Sequence, residues 1–574
     1  TTQRLHKNSF EHEERPQRMN TIKELPDSNI RDRYVRFEAW LRENGAYFEQ
    51  LELREYDVPE SMQEGEDNSN DNVHNDDSGI DSFCEEKKES ATYDVASDDS
   101  SNNKLSEMRG VYSKTNIPPN TVCLAVPRKC LITVEMGQET EIGRQLLSAD
   151  LDLDAPKHIY LMIYILQDRL NPNSFFKPYY DILPKKLSNM PIFWNTQELM
   201  NLQGSYLLTQ IADRIEAIED DYRTICEVCP QLSSIASLED FKWARMCVCS
   251  RNFGLQMDGN RTSAMVPHAD MLNHYRPRET KWTFDDDKQA FTITTLQTIQ
   301  PGSQIFDSYG QKCNHRFLLN YGFAVENNTE IDGFCPNEVP IELTLSASDP
   351  LHDRKLEFWC REESPYVKRI RVCISNNENT KMLFSMLRVL GTDEKEFDSI
   401  TTTSTASSTV LTRNNAIISA NGGSGCMSYR TCRDIRFPLS LRNEKAALSH
   451  LRVLLWNALS LYPTTLAQDN IRLADSKNFP AFSNARHAVI QVRGEKEVLH
   501  YYEELATTAL RLIDLQSEDD FDASIKSLEG MGTHHLIVRY CSDVIGAIRR
   551  KEQRQQRLAM PRGGTSTLAY PSFH

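Results

Sequence analysis

Apolar and polar residues follow one another along this chain with two different periods. Residues 33–47 (RYVRFEAWLRENGAY) repeat their apolar side chains at helical spacing, and the same pattern dominates residues 139–235. Alternation over residues 51–56 predicts a short strand. Residues 110–133 predict two strands around a turn at Pro118-Pro119-Asn120.

Strand-like patterns return after this helical block, at residues 264–274 and 281–310. From Glu338 onward the spacing is helical again, as in residues 444–462 and 495–513. Short strands, an inserted helical block, more strands and a final run of helices indicate the α+β class. We predict an α+β fold, in which β-sheets with an inserted helical block are followed by an all-α C-terminal domain.

Charge changes this picture in one segment. Residues 59–103 carry an excess of Asp and Glu and only two lysines, within a chain of net charge −17. The segment is rich in Ser and Asn and poor in aromatic residues, so it cannot bury enough apolar surface to fold. We predict a disordered acidic insert at 59–105. Ser, Thr and Gly predict a second loop at 401–432.

Composition excludes several classes of protein. The chain has 574 residues, no run of 18 apolar residues and a polar start, so the sequence predicts neither a transmembrane helix nor a signal peptide. A cytoplasmic or nuclear location is expected. The 14 cysteines form one Cys-x-x-Cys, at Cys226 and Cys229, and a Cys-x-Cys at Cys247 and Cys249 that would share one face of a strand. Because neither has partner ligands at zinc-finger spacing, we predict no metal site.

Three ordered motifs lie between residues 250 and 323. They are SRNFGL (250–255), MVPHADMLNHYRP (265–277) and IFDSYGQKCNHRFLLNYGF (305–323). One Asn-His or Tyr-Gly pair would carry no information, but the ordered set resembles the SET domain of protein methyltransferases. Residues 106–133 resemble the first cofactor-binding strands of that family, with Met108 at a position that is usually glycine.

Two further segments resemble the subfamily named for the Rubisco large-subunit methyltransferase. SFFKPYYDILP with Trp194 is similar to its helical insert, and residues 439–499 are similar to its helical substrate-binding domain. The resemblance implies a SET domain over 31–330, with a helical insert over about 135–245, and a substrate-binding domain over 335–548. Polar tails are expected at 1–30 and 549–574.

The resemblance also implies an activity, which is methyl transfer from S-adenosylmethionine to a protein lysine. The amine must be neutral, whereas a free lysine has a pKa near ~10.4. An apolar channel and a neighbouring positive charge both lower that pKa. Alignment of the reacting atoms then provides much of the acceleration.

Residue roles follow only from the resemblance. Tyr309 is implied as the catalytic residue, at the junction of cofactor and lysine channel. By residue type alone it could equally close a strand before the turn at Gly310. The implied cofactor-binding residues are Glu107, Arg109, Arg251, Asp270, Asn273, His274, Tyr309 and Phe323, and the implied substrate-binding residues are Phe253 and Tyr321.

Two positions bear on the acceptor side chain. The actin-histidine branch of the subfamily carries Asn at the position of Phe253 and Trp at the position of Ala269. A phenylalanine wall suits an aliphatic lysine stem, whereas an imidazole benefits from a polar partner that fixes its tautomer. Lysine is therefore favoured. Histidine methylation and a non-catalytic, SET-like binding adaptor remain as alternatives.

The expected partner is a protein substrate bound by the SET and C-terminal domains. The motif set lacks the cysteine cluster that follows Phe323 in many histone-directed SET enzymes, so a non-histone substrate is expected. The acidic balance gives no obvious nucleic-acid surface. We expect a monomer that contacts neither nucleic acid nor membrane.

Overall fold

A computed structural model describes residues 28–55, 109–359, 361, 365–401 and 435–559. The predicted acidic insert therefore lies outside the described residues. The same holds for most of the predicted loop at 401–432, for the N-terminal tail before residue 28 and for the C-terminal tail after residue 559. Within those residues, no helix is both long enough and apolar enough to span a membrane. The described residues form two compact units: those up to 193, together with 216–309 and 472–486, belong to the first, and the other described residues belong to the second.

Short strands and an inserted run of helices make up the chain before residue 310. These elements are α1 (Ser28–Glu43), β1 (Leu51–Glu55), β2 (Arg109–Ser113), β3 (Val122–Pro127), β4 (Ile132–Thr133), α2 (Val134–Gln138), α3 (Glu141–Ala149), α4 (Pro156–Asp168), α5 (Lys177–Tyr180), α6 (Thr196–Met200), α7 (Leu207–Val228), α8 (Gln231–Ile235), α9 (Leu238–Arg251), β5 (Asn252–Met257), β6 (Asn260–Met265), β7 (Asn273–His274), β8 (Thr280–Asp285), β9 (Ala290–Thr295) and β10 (Gln304–Asp307).

Helices dominate the chain after residue 310. The elements are α10 (Asn314–Tyr321), β11 (Glu338–Leu345), α11 (His352–Phe358), β12 (Tyr366–Cys373), α12 (Glu378–Leu390), α13 (Leu441–Ser460), α14 (Leu466–Ala474), α15 (Asn484–Ile513), α16 (Glu518–Gly530), α17 (His535–Arg539) and α18 (Gly546–Ala559). The α+β fold class and the helical C-terminal region are confirmed.

Three small sheets form the β-structure of the first unit. Their strand orders are β1-β2-β10-β7, β3-β9-β8 and β4-β6-β5. Glu55 pairs with Arg109 at the end of the antiparallel β1–β2 ladder, so the two ends of the segment 56–108 lie side by side. Buried Val111 and Ile305, which pair across β2 and β10, anchor the centre of the first sheet in the core.

Two local predictions are wrong. Cys247 and Cys249 lie on helix α9, not on a strand. Residues that are two apart on a helix point in different directions, so these thiols do not share a face. The chain after Glu338 is also not all helical, because β11 and β12 form an antiparallel two-stranded sheet.

That sheet has a visible cause in the sequence. Val339, Ile341, Leu343 and Leu345 are buried while the residues between them are not, which is the period of a strand with one buried face. They join a large apolar core of the second unit that includes residues of α12, α13 and α15.

Candidate active site

The end of strand β10 brings three of the predicted site residues together. Strand β7 runs parallel to β10, with Asn273 beside Phe306 and His274 beside Asp307. Tyr309 follows two residues after β10 ends. The pairing therefore places Asn273, His274 and Tyr309 at one edge of the first sheet, although they are separated in sequence.

Tyr309 is held by two hydrogen bonds, one from its backbone N–H and one from its side-chain hydroxyl. Its backbone N–H donates to Nδ1 of His274 at 3.1 Å, and its hydroxyl donates to the carbonyl oxygen of Leu272 at 2.8 Å. The two rings lie 5.3 Å apart between centroids. A hydroxyl has one proton. Since the Tyr309 proton goes to Leu272, its oxygen meets any further polar group as an acceptor.

Asn273 ties β7 to strand β2. Its side-chain N–H donates to the backbone carbonyl of Arg109 at 2.9 Å. The Arg109 guanidinium in turn donates to the carbonyl of Ile182, and the Arg109 side chain is buried. The predicted first cofactor strand and the Asn-His motif are therefore in direct contact.

Arg251 and Asp270 form a buried ion pair in the same unit. One terminal nitrogen of Arg251 lies 3.1 Å from the backbone oxygen of Asp270 and 3.3 Å from its Oδ2. Tyr179 also donates to Oδ2 of Asp270, at 2.8 Å. Burial lowers the pKa of Arg251, but the charge of Asp270, together with Cys247, Tyr179 and Tyr309, holds that pKa above its usual value.

Each partner of this ion pair has a buried polar atom that is still unsatisfied. Nε of Arg251 and Oδ1 of Asp270 have no hydrogen-bond partner among the residues that the structure describes. Buried polar atoms are usually hydrogen bonded, and leaving one unpaired costs about 1–3 kcal/mol. The ion pair therefore retains one unpaired donor and one unpaired acceptor.

Phe253 belongs to an aromatic cluster at the start of β5. Its ring centroid lies 5.0 Å from that of Phe291 and 5.5 Å from that of Trp282, both edge-on. Ala269 is buried at the first position of a short 3₁₀ turn, Ala269–Met271. Phe253 thus packs among aromatic rings, and the role of both residues toward a substrate stays a prediction.

The structure does not test the roles predicted for the remaining site residues. Glu107 lies outside the described residues, as does Met108. Tyr321 and Phe323 belong to the second unit, where they pack around Phe317 at centroid distances of 6.3 and 5.2 Å. Their predicted contacts with cofactor and substrate stay predictions.

Sequence reasoning missed two groups that hold the site. One is Tyr179, which is fully buried and whose pKa is raised far above its usual value by burial and by Asp270. It lies within the SFFKPYYDILP segment, where its neighbour Tyr180 gives an equal aromatic signal. The other is the carbonyl oxygen of Leu272, a backbone atom that no side-chain pattern can reveal.

Comparison with known protein families gives two matches. The family model for the SET domain matches residues 108–310, and the model described as Rubisco LSMT substrate-binding matches residues 346–499. The first match ends immediately after Tyr309. It includes every predicted site residue that the structure describes in the first unit. The second match begins at the residue after β11 and ends in the first half of α15.

Solved structures with the same fold support these matches. The chain is similar to the SET domain of LSMT bound to lysine and AdoHcy, with a TM-score of 0.58 and 20% identity over 84% of this chain and 93% of that chain. It is similar to Rubisco LSMT bound to AdoMet, with a TM-score of 0.57 and 20% identity over 87% and 96% of the two chains.

Curated relatives include actin-histidine N-methyltransferases. The mouse (Mus musculus) protein is 28% identical over 402 residues, and the human (Homo sapiens) protein is 27% identical over 401 residues. Each alignment covers 68% of this chain and 62% of the relative. The chain thus spans less than two thirds of the length of these relatives.

Proposed function

The chain belongs to the SET-domain proteins that carry a Rubisco LSMT substrate-binding domain, and from this membership we propose that it is an S-adenosylmethionine-dependent protein methyltransferase. The observation that carries the proposal is the joint position of Asn273, His274 and Tyr309 at the end of strand β10. A binding adaptor would need none of these three side chains in this arrangement.

S-adenosylmethionine is the cofactor, and when bound it supplies an electrophilic methyl group on a positively charged sulfur. Its amino-acid end carries a carboxylate and an ammonium group. The unsatisfied Nε of Arg251 and Oδ1 of Asp270 offer a donor and an acceptor for those two groups. Asn273 and His274 hold the neighbouring strand in place and complete the binding residues.

Tyr309 orients the acceptor side chain. Its hydroxyl gives its proton to Leu272, so the oxygen accepts a hydrogen bond from the N–H of the incoming amine or imidazole. That contact turns the nitrogen lone pair toward the methyl group. Contacts of the oxygen with polarised C–H groups are individually weak, so positioning rather than proton removal is the role of Tyr309.

A lysine acceptor is supported by the apolar side chains at the two positions that bear on the acceptor, Phe253 and Ala269. Phe253 lies among Trp282 and Phe291, and Ala269 contributes no polar atom. This wall suits a four-carbon stem, and exclusion of water favours the neutral amine that attack requires.

A histidine acceptor is supported by the curated relatives, whose names state that activity on actin. These comparisons favour histidine over the lysine expected from the sequence. Neutral imidazole is the main form near neutral pH, so this acceptor needs no large pKa shift. It does need a group that selects the tautomer, for which the Tyr309 hydroxyl oxygen is suited as an acceptor.

Cofactor binding tests the first part of the proposal. Calorimetry on the purified chain should give one S-adenosylmethionine per chain, and the affinity should be unchanged after treatment with strong chelators, because Arg251, Asp270, Asn273 and His274 bind it without a metal. The absence of binding, or its loss on chelation, would contradict the proposal.

Mass spectrometry of the product identifies the acceptor. Purified actin, named in the relatives, and a cell lysate should each be incubated with the chain and methyl-labelled cofactor. A labelled histidine in actin supports the histidine acceptor, and a labelled lysine in another protein supports the lysine acceptor. Binding of cofactor with no protein labelled in either sample would favour the adaptor.

A further inference from the structure

A thiol, an imidazole and a carboxylate converge in the second unit, and none of the three residues has been assigned a role above. Sγ of Cys313 lies 3.7 Å from Nε2 of His315 and 3.8 Å from Oε1 of Glu338, and the last two atoms are 3.9 Å apart. Cys313 and His315 are buried and Glu338 is mostly covered. Cys313 and His315 flank the start of helix α10, and Glu338 begins strand β11.

The size of this triangle fits a metal ion rather than a water molecule. With nearly equal edges of 3.7, 3.8 and 3.9 Å, its centre lies about 2.2 Å from each atom, which is close to the ~2.0–2.3 Å of zinc–ligand bonds. A water oxygen needs about 2.8 Å to each hydrogen-bond partner. Thiolate, imidazole and carboxylate are also the three ligand types that zinc prefers.

Tyr206 contacts His315 at the ring nitrogen that does not face the centre. Its hydroxyl contacts Nδ1 of His315 and donates to the backbone carbonyl of Glu338 at 3.3 Å. In the tautomer in which the hydroxyl gives its proton to this carbonyl, Nδ1 donates to the hydroxyl oxygen. The lone pair of His315 is then on Nε2, which points to the triangle. A partner on the far ring nitrogen is the usual arrangement for a metal-binding histidine.

The cluster has too few hydrogen-bond donors for its three contacts. With Nε2 unprotonated, the Cys313 thiol brings one proton, which serves one of the three contacts. The nearest guanidinium nitrogens of Arg316 and Arg371 lie 3.6 and 3.8 Å from Oε1 of Glu338, beyond hydrogen-bond range. A cation at the centre would satisfy all three lone pairs at once.

A second observation comes from Gln491, which borders the same narrow void as the three residues, a void too small for a water molecule. Gln491 is 2% exposed. Its amide nitrogen donates to Glu495 at 2.6 Å, whereas its Oε1 has no hydrogen-bond partner within the described part of the chain. This buried oxygen adds an unpaired acceptor to the residues that border the cluster.

Charge is compatible with a divalent ion. The two neighbouring guanidinium groups repel a cation, but their side chains are 51% and 42% exposed, so solvent screens much of that repulsion. A thiolate and a carboxylate together neutralise a charge of +2. Burial and the charge of Glu338 raise the pKa of the Cys313 thiol to about 12, so the thiolate forms only when a metal replaces the proton.

We propose that Cys313, His315 and Glu338 bind one zinc ion, which joins the start of α10 to the start of β11. On binding, a sulfur–metal bond replaces the S–H bond of Cys313 and the released proton passes to solvent. The site does not depend on the proposed methyl transfer, since none of its residues belongs to the candidate active site.

Cobalt binding to the full-length chain tests this proposal without any variant. The protein should be stripped with a chelator, and one equivalent of Co²⁺ then added. A thiolate-to-cobalt charge-transfer band that saturates at one ion per chain is expected, and Zn²⁺ should abolish it by competition. Without this band, the wild-type chain has no such site and the proposal is wrong.

Variants then locate the site. C313S should remove the band, and H315A should weaken zinc binding by at least ~100-fold, whereas C226S, a cysteine on helix α7, should leave both unchanged. Y206F retains all three ligands and should weaken binding by about 10- to 100-fold. Matched melting curves of the metal-free proteins establish that each variant is folded. Persistence of the band in C313S would place the metal elsewhere and overturn the proposal.

Discussion

At the scale of single residues, the candidate site depends on side chains that bind backbone atoms. Tyr309 donates to the carbonyl of Leu272, and Asn273 donates to that of Arg109. The sequence could identify Tyr309 and Asn273 because a family motif marks them. It could not identify their partners, because a backbone carbonyl is present at every position and only the pairing of β7 with β10 selects the ones that are used.

Replacement of Asn273 by Ala should weaken cofactor binding before it affects turnover. The change removes the hydrogen bond to Arg109, which is worth about 1 kcal/mol, and loosens β7 beside the cofactor. We expect the Kd for S-adenosylmethionine to rise about 5- to 10-fold in a calorimetric titration. Asn260→Ala is the control, because Asn260 lies exposed at the start of β6. Equal losses in both variants would contradict a specific role for Asn273.

Replacement of Tyr179 by Phe should destabilise the ion pair of Arg251 and Asp270. It removes the hydroxyl that donates to Oδ2 of Asp270, a carboxylate whose other oxygen is already unsatisfied. The free energy of unfolding should fall by about 1–3 kcal/mol, and cofactor affinity should fall with it.

Tyr180→Phe is the matched control for that change. Tyr180 also donates to a carboxylate, Oδ2 of Asp168, but Ser174 donates to the same oxygen at 2.5 Å. Asp168 therefore keeps a donor when Tyr180 is changed, and cofactor affinity should remain at the wild-type value. An affinity loss of the same size in both variants would show that Tyr179 has no specific role in the site.

At the scale of elements, the pattern of apolar residues predicted helices better than short strands. The long helices α7 and α15 repeat apolar residues over many turns, so their period is unmistakable. Strand β11 offers only eight residues, and the helical segments after it dominated the prediction for the whole region. The cluster of Cys313, His315 and Glu338 escaped for a related reason. Its third member is distant in sequence, and only the fold brings it near.

One buried ion pair connects the helices of the C-terminal region. Arg388 on α12 donates to both carboxylate oxygens of Glu444 on α13, at 2.7 and 2.8 Å, and both side chains are almost fully buried. Arg388→Ala should lower the free energy of unfolding by about 3–5 kcal/mol, because the Glu444 charge would remain buried without its partner. Chemical denaturation monitored by circular dichroism measures this loss.

An exposed ion pair on the same helix provides the control. Lys445 contacts Asp514 at 2.5 Å, but both side chains are about half exposed. Lys445→Ala should cost no more than about 1 kcal/mol, because solvent replaces most of the interaction. Comparable losses in the two variants would mean that burial does not set the strength of the Arg388–Glu444 pair.

At the scale of the whole molecule, the two family matches agree with the predicted SET and substrate-binding domains, while the predicted domain bounds stay predictions. The predicted boundaries at 330 and 335 rest on the resemblance, whereas the units interleave along the chain, with residues 194–215 and 472–486 exchanged between them. Such exchange arises from tertiary packing and leaves no mark in local periodicity. The expected monomer and the expected cytoplasmic or nuclear location stay predictions.

Deletion of the acidic insert should leave the rest of the molecule intact. Glu55 and Arg109 are paired neighbours in the β1–β2 ladder, so a short turn can replace residues 60–103 without moving either strand. The melting temperature and the Kd for S-adenosylmethionine should both remain at their wild-type values, because loop length alone changes stability only slowly. A Gly/Ser segment of the original length is the control. A large fall in melting temperature in both proteins would show that the insert packs against the fold.

The central claim, that the Tyr309 hydroxyl orients the acceptor for methyl transfer, is tested most directly by Tyr309→Phe. The rate of labelled methyl transfer from S-adenosylmethionine into protein should be compared between this variant and the wild type, after matched melting curves show that both are folded. Phenylalanine keeps the ring and removes only the oxygen, so the rate should fall at least ~10²-fold, about 2.7 kcal/mol of transition-state stabilisation, while cofactor affinity changes much less. An equal rate in the two proteins would contradict the claim.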